Sequence, residues 1–275
     1  MAVPLYLLSG ASLYFEPLPQ GFRLAAEVGF DGIEFSPTPA GAWFRPARLR
    51  ELAQAHGLTL SSLHPATVPL PGWSASPAGL RRLASLAAEL PGCRYIVLHT
   101  PPAERKRLER FYRRLEALQE ALVGTAVTVA LENRNRRPGE ALARFDSPES
   151  WAALCRERDC GAVLDTAHAS TLPVPLLEVY RTVRERLVNI HLSDVAALGW
   201  WGRFSYPRST LGHHRPPGQG LLPLPALLGE LGRDGYDGLI TLELSPLALH
   251  FWNRQTARRI LAESLAKCRR WFGAA

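Results

Sequence analysis

The sequence predicts an α/β protein, a closed (β/α)8 barrel built as a single unit over residues 1–275, and three observations predict it. Short apolar β-type runs alternate with stretches of helical periodicity from one end of the chain to the other, as strands joined by crossover helices require. The β-type runs number eight, in a chain close to the roughly 250 residues over which such a barrel forms one unit. No glycine-rich dinucleotide fingerprint follows the first run, which counts against an open doubly wound sheet and against a nucleotide cofactor.

In chain order the strands are read at Leu5–Leu8, Gly32–Phe35, Thr59–Leu63, Tyr95–Leu98, Thr128–Leu131, Ala162–Leu164, Val188–Leu192 and Leu239–Leu242. Between them apolar residues recur at helical spacing, most plainly Leu108, Phe111, Leu115, Leu118 and Leu122, with arginines and glutamates on the opposite face. That period is the mark of an outer helix laying one apolar stripe on the sheet. Turn residues punctuate the connections: Gly29, Asp31-Gly32, Gly57, Pro91-Gly92, Gly124, Gly161 and Gly235 to Gly238 stand where helices stop and strands start. Two segments interrupt the rhythm. Pro65 to Pro77, rich in Pro and Ser, follows the third strand. Asp194 to Leu222 follows the seventh and carries Trp200, Trp201, Arg203, Phe204, Tyr206, Arg208, His213, His214 and Arg215; loops of that length in compact folds are usually functional.

Composition narrows the class. With 47% hydrophobic and 21% charged residues the chain has the balance of a folded globular protein. The net charge of +7 would suit an anionic partner, but nearly all of it is arginine spread along the chain, Lys106 and Lys267 being the two lysines, and no dense basic tail stands out. Cys93, Cys155, Cys160 and Cys268 form no CxxC pair, so they read as reduced packing residues and not as a thiolate zinc site or a disulfide framework. The apolar start, Met1 to Phe15, lacks a basic n-region and a cleavage site, and no run of 18 apolar residues occurs. The expectation is a cytoplasmic protein without a membrane span.

In barrels of this kind the chemistry gathers at the C-terminal ends of the strands. Here strand three ends at His64, four at His99, five at Glu132, six at Asp165 with His168 three residues on, seven at His191 and eight at Glu243. Six of eight strands thus end on a titratable group. Carboxylate oxygens mixed with imidazole nitrogens suit Mn2+, Zn2+, Co2+ or Mg2+, and no thiolate is present to select a softer ion. A shared cation would also relieve the repulsion among converging carboxylates.

The chain resembles the xylose-isomerase-like TIM barrel superfamily, which holds sugar isomerases and epimerases together with endonuclease IV, the AP endonuclease family 2 relatives. The resemblance covers nearly the whole chain. Its carriers are Gly29-Phe30-Asp31-Gly32-Ile33-Glu34, Leu131-Glu132-Asn133, Leu164-Asp165-Thr166-Ala167-His168, Ile190-His191-Leu192-Ser193-Asp194, Pro217-Gly218-Gln219-Gly220 and Leu242-Glu243. It implies that Glu132, Asp165, His191 and Glu243 hold a divalent metal and that Glu132 and Glu243 serve as an acid–base pair. The implied activity is isomerisation or epimerisation of a sugar or sugar derivative through an enediolate, with His168 on a substrate oxygen. The nuclease branch implies an alternative, a zinc-dependent abasic-site phosphodiesterase in which His64, His99, His168 and His214 are further ligands. There the family pattern places an aspartate where this chain has Gly212, next to His213. A third reading is a catalytically silent barrel that only binds its ligand.

Arg134, Arg136 and Arg137 follow Glu132 directly and are expected to clamp a phosphate or carboxylate, or to meet a nucleic-acid backbone under the nuclease alternative. Arg215 and Trp201, in the long loop, are expected to contact substrate. Glu34 and Ser36, at the end of strand two, are expected to support the site from behind.

Overall fold

Eight parallel strands close on themselves in the order in which they occur, β1 through β8. The computed structural model describes residues 3–38, 45–66, 70, 73, 75–197 and 211–274. The strands are β1 (Leu5–Ser9), β2 (Gly32–Phe35), β3 (Thr59–Leu63), β4 (Tyr95–His99), β5 (Thr128–Glu132), β6 (Gly161–Asp165), β7 (Leu187–Leu192) and β8 (Leu239–Leu242). Each lies within a residue of its sequence-based position at either end. Four of them run one residue further than expected, β1 to Ser9, and β4, β5 and β6 to take in His99, Glu132 and Asp165. The reason is pairing: His99 is in register with Glu132, and Asp165 with His191, so the site residues belong to the ladder itself.

The helices are α1 (Leu18–Val28), α2 (Pro46–His56), α3 (Pro77–Glu89), α4 (Arg105–Leu122), α5 (Pro148–Glu157), α6 (Thr166–Ala169), α7 (Leu176–Val183), α8 (Leu224–Arg233) and α9 (Arg254–Gly273). In α4, Phe111, Leu115, Leu118 and Leu122 are buried, so the apolar stripe read from the sequence is the face laid on the sheet. Gly29 at φ 93° and Gly57 at φ 65° end α1 and α2 in the left-handed conformation that a Cβ disfavours. The main core lies between sheet and helices, where Trp151 is 1% exposed and donates its indole N–H to the Leu131 carbonyl at 3.2 Å.

The barrel interior is separate and two-sided. On β4 to β6 it is apolar, a small cluster of Val97, Ala130 and Val163. On β2, β3, β7 and β8 it is polar, built from Glu34, Ser62, Asn189 and Thr241, all buried. Because side chains on a strand alternate faces, the inward residue two positions on is the one that reaches the mouth. Ser62 leads to His64, Val97 to His99, Ala130 to Glu132, Val163 to Asp165, Asn189 to His191 and Thr241 to Glu243. Among the described residues no helix is long and apolar enough to cross a membrane.

Candidate metal centre

The strand period therefore delivers six titratable side chains to one mouth, and they meet there. Glu132, 1% exposed, stands at the middle. His64 Nε2 and His99 Nε2 approach its Oε2 at 3.5 and 3.3 Å. His168 Nδ1 and His191 Nδ1 approach its Oε1 at 3.2 and 3.4 Å. Glu243 joins through His191, whose Nδ1 is 2.9 Å from Glu243 Oε2. Asp165 stands 3.8 Å from His168 through its Oδ2.

The local backbone explains the spacing of Asp165 and His168. Asp165 closes β6 and caps the four-residue α6, its Oδ1 accepting the His168 N–H at 2.7 Å in an ordinary N-cap. Capping occupies one carboxylate oxygen and leaves Oδ2 facing the cluster. Asn133 braces the same corner, donating from Nδ2 to the Asp165 carbonyl at 3.0 Å and accepting the Asp165 N–H at 2.8 Å. The sequence signal for this brace is the place of Asn133 directly after a strand-end glutamate, in Leu131-Glu132-Asn133.

Each histidine is oriented by its other nitrogen. The Nδ1 of His64, His168 and His214 lies 2.7, 3.0 and 3.2 Å from the carbonyls of Pro65, Asn133 and Glu243. A carbonyl can only accept, so Nδ1 carries a proton in each ring, and when the ring is neutral the lone pair lies on Nε2. His191 is reversed: its Nε2 lies 3.2 Å from Glu34 Oε2 and its Nδ1 turns to the cluster.

The charges are strongly coupled. Burial pushes the Glu132 carboxyl up, but His99, His191 and the hydrogen bond from His168 outweigh it and hold the group well below the usual carboxylate range. Burial also works against Glu243, and His191 and His214 bring it down to about 2. For Asp165 burial wins over His168 and His214, and its carboxyl is raised. His168 is raised to about 9, its burial outweighed by Asp165 and Glu132; for His191, Glu34, Glu132 and Glu243 likewise outweigh burial and hold it well above its ordinary range.

These donors fit a divalent ion. Glu132 Oε2, Asp165 Oδ2 and His191 Nδ1 are buried without a hydrogen-bond partner, the state of a ligand atom and a costly one for any other polar atom. Among the described residues, ligand atoms lying within 4.8 Å of one another occur in three groups: Glu132, Asp165 and His191; His64, His99 and Glu132; Asp165, His168 and His214. All are oxygen or imidazole donors of the kind Mn2+, Zn2+, Co2+ and Mg2+ accept. The four cysteines are buried as free thiols elsewhere in the core. A cavity of about 570 Å3 lies at the opposite end of β1 around Val3, Tyr6, Asp31 and Arg269, away from this cluster.

The arginines depart from expectation. Arg134 is 7% exposed and lies on Asp146 with both Nε and Nη2, at 3.0 and 2.7 Å, while Nη1 meets Glu140 at 2.8 Å. A guanidinium so engaged has no fork left for a substrate anion, and the clamp expected of it gives way to a structural pair. Arg136 is likewise tied down, donating to the carbonyls of Thr171 and Glu140 at 2.8 and 2.6 Å; Arg137 is exposed. Arg215 follows His214, and its backbone pairs with Asp194 in both directions at 2.8 and 2.9 Å, which pins it at the mouth. Trp201 lies outside the described residues. Ser36 is buried behind β2, its hydroxyl toward the Pro65 carbonyl at 3.5 Å. His213 is buried beside His214, ring centroids 6.3 Å apart.

Comparison with known proteins agrees with this architecture. Residues 22–270 match the family model described as the xylose isomerase-like TIM barrel. An uncharacterized protein of Mycobacterium leprae, ML2432, is 24% identical over 96% of this chain and 96% of its own. Among solved structures, a D-allulose 3-epimerase from Methylomonas sp., crystallised in complex with D-allulose, aligns with a TM-score of 0.71 at 17% identity, covering 98% of each chain. An AP endonuclease of family 2 from Brucella melitensis aligns with a TM-score of 0.65 at 20% identity, over 89% of this chain and 94% of the other. At such identities the likeness is one of fold.

Proposed function

The chain belongs to the xylose isomerase-like TIM barrel family, and on that premise we propose that it is a divalent-metal-dependent isomerase or epimerase of a sugar or sugar derivative. The observation that carries this reading is that Glu132, Asp165 and His191 bring ligand atoms within 4.8 Å of one another, with an orphaned polar atom on each, while Glu243 stands 2.9 Å from His191 Nδ1. These four would hold the ion, which when bound supplies Lewis-acid stabilisation of negative charge on a carbonyl oxygen and its neighbouring hydroxyl.

The proton chemistry belongs to the chain. Glu132 and Glu243 approach His191 Nδ1 at 3.4 and 2.9 Å, so both carboxylates border the space where a substrate carbon would sit. Both are held below the usual carboxylate range and are ionised at neutral pH. One takes a carbon-bound proton to leave an enediolate, and the other, once it has taken up a proton from solvent, returns one to that carbon or its neighbour. His168, anchored through Nδ1, presents Nε2 to a substrate oxygen. The family's sugar-acting members, one of them crystallised with D-allulose, support a small polyhydroxylated substrate.

A second reading has its own support: the two further ligand groups, His64 with His99 and Glu132, and Asp165 with His168 and His214, share residues with the first. Three neighbouring ions would suit abasic-site hydrolysis by a zinc cluster. Elemental analysis of the metal-replete chain separates the two, alongside incubation of ketohexoses in D2O. One ion per chain with deuterium entering a carbon next to the carbonyl is the expected result. Three ions with nicking of an abasic duplex would overturn it. Glu243→Gln is expected to abolish exchange; a variant that keeps exchanging would remove Glu243 from the acid–base pair. A barrel that only binds would show no exchange to lose.

A further inference from the structure

His191 faces the cluster the opposite way round from His64, His168 and His214, and the cause lies beneath it. His64 directs Nδ1 to the Pro65 carbonyl and presents Nε2 to Glu132 at 3.5 Å, and His168 and His214 also direct Nδ1 to backbone carbonyls. His191 presents Nδ1, 2.9 Å from Glu243 and 3.4 Å from Glu132. Its Nε2 meets the Glu34 carboxylate, 3.0 Å from Oε1 and 3.2 Å from Oε2. Glu34 is 1% exposed and held from two further strands: Ser62 Oγ donates to its Oε2 at 2.6 Å and Asn189 Nδ2 at 3.0 Å. Asn189 is fixed in turn, its Oδ1 accepting from Thr241 Oγ1 at 3.0 Å. The order of this network is forced by donor and acceptor chemistry. The Glu34 carboxylate can only accept, so the Asn189 amide turns its NH2 to Glu34 and its Oδ1 to Thr241, whose hydroxyl then donates.

We propose that Glu34 is a positioning residue for the metal centre. It keeps the His191 proton on Nε2, so that the Nδ1 lone pair points at the ion shared with Glu132, Asp165 and Glu243, and its buried charge strengthens that nitrogen as a donor. Glu34 does not itself ligate, because it sits one inward layer below the mouth with its oxygens turned to Ser62, Asn189 and His191. The inference rests on the reading that the site holds a divalent ion.

The test uses the full chain and Zn2+ alone, titrated against a competing chelator, with occupancy read from the ring 15N signals of His191 in histidine-labelled protein. Wild type is expected to show Nδ1 metal-bound and Nε2 protonated. Glu34→Gln removes the charge at constant size, and its amide NH2 can donate to Nε2, which favours the tautomer with the proton on the ligand atom. Zinc affinity at His191 is expected to fall about 10–100-fold, while Ser62→Ala, which leaves the carboxylate in place, stays closer to wild type. An affinity within twofold of wild type for Glu34→Gln, or a metal-bound Nε2 in wild type, overturns the assignment. The wild-type spectrum decides alone should Glu34→Gln fail to fold. Wild type that takes up no zinc overturns the metal reading itself, and is seen before any variant is compared.

Discussion

Glu132 illustrates what a single residue demands of its surroundings. A carboxylate 1% exposed is tolerated only when charge and hydrogen bonds replace water, and here four imidazoles do so. In the metal-free chain these pairs make stability depend on pH in both directions. His168, raised from 6.5 to about 9, contributes stability that is complete below 6.5 and lost as pH rises through 9. Glu243, lowered from 4.5 to about 2, contributes stability that is complete above 4.5 and lost as pH falls through 2. Asp165, raised, opposes part of the acid loss. His99, lowered to about 4 by burial, contributes stability that is complete above 6.5 and lost as pH falls through 4, so urea midpoints of the chelator-treated protein are expected to be highest near pH 6.5 and to decline toward 9; a midpoint that climbs over the alkaline interval contradicts the assigned pairs. Arg134 allows a second test at this scale. Arg134→Ala leaves buried Asp146 with only Arg136 at 3.5 Å and the Ala143 N–H at 2.7 Å and is expected to cost about 3 kcal/mol in denaturant unfolding. A loss under about 1 kcal/mol accompanied by a raised KM would restore the clamp role instead.

Among the elements, the connection after β7 owes its anchoring to one side chain. Asp194, 1% exposed, accepts the backbone N–H groups of Val195 and Leu222 on Oδ1 at 2.9 and 3.0 Å, and of Gly218 and Gly220 on Oδ2, each at 3.0 Å. The Pro217-Gly218-Gln219-Gly220 motif is thereby explained. Gly218 adopts φ 76°, and a Cβ on Gly220 would lie 2.3 Å from the Val195 carbonyl oxygen and 2.4 Å from Asp194 Oδ1. Gly220→Ala is expected to cost about 1–3 kcal/mol and to speed amide exchange at Gly218 and Leu222 before the barrel strands respond. Unchanged exchange there would mean that the carboxylate is not what holds the loop. His214 depends on the same anchor, since Arg215 pairs with Asp194 while the His214 carbonyl accepts the Ser245 N–H at 2.8 Å.

For the whole molecule, barrel closure is what converts eight separate strand ends into one site. β8 pairs with β1 along Leu5 to Leu8, which closes the ring, and on its other side pairs with β7, which sets Glu243 beside His191. Anything that binds only this closed arrangement stabilises the fold by mass action. A divalent ion at 100 times its Kd is expected to add about 2.7 kcal/mol to unfolding, reversed by chelator and abolished in a His191→Ala, Glu243→Ala double variant. Equal stabilisation of that variant would place the ion elsewhere. The barrel was legible in the sequence because βα alternation, the apolar period of α4 and the glycine stops at Gly29 and Gly57 are local signals. The six strand-end groups were legible for the same reason. The buried layer of Glu34, Ser62, Asn189 and Thr241 was largely not, because isolated polar residues in strands carry no local mark of being one network. Arg134 misled for a related reason: its partner Asp146 lies in a loop whose return toward Arg134 no local pattern announces.

By its order of residues alone, the chain determines an eightfold βα barrel and which titratable side chains end its strands, since both follow from periods of two and 3.6 residues read along a few neighbours. Only the tertiary structure decides which nitrogen of each imidazole faces the centre, which carboxylate stands behind His191, and which arginines are already engaged. Those outcomes depend on partners brought from distant strands by closure and shear, and a hydrogen bond's direction is settled only when both of its ends are in place.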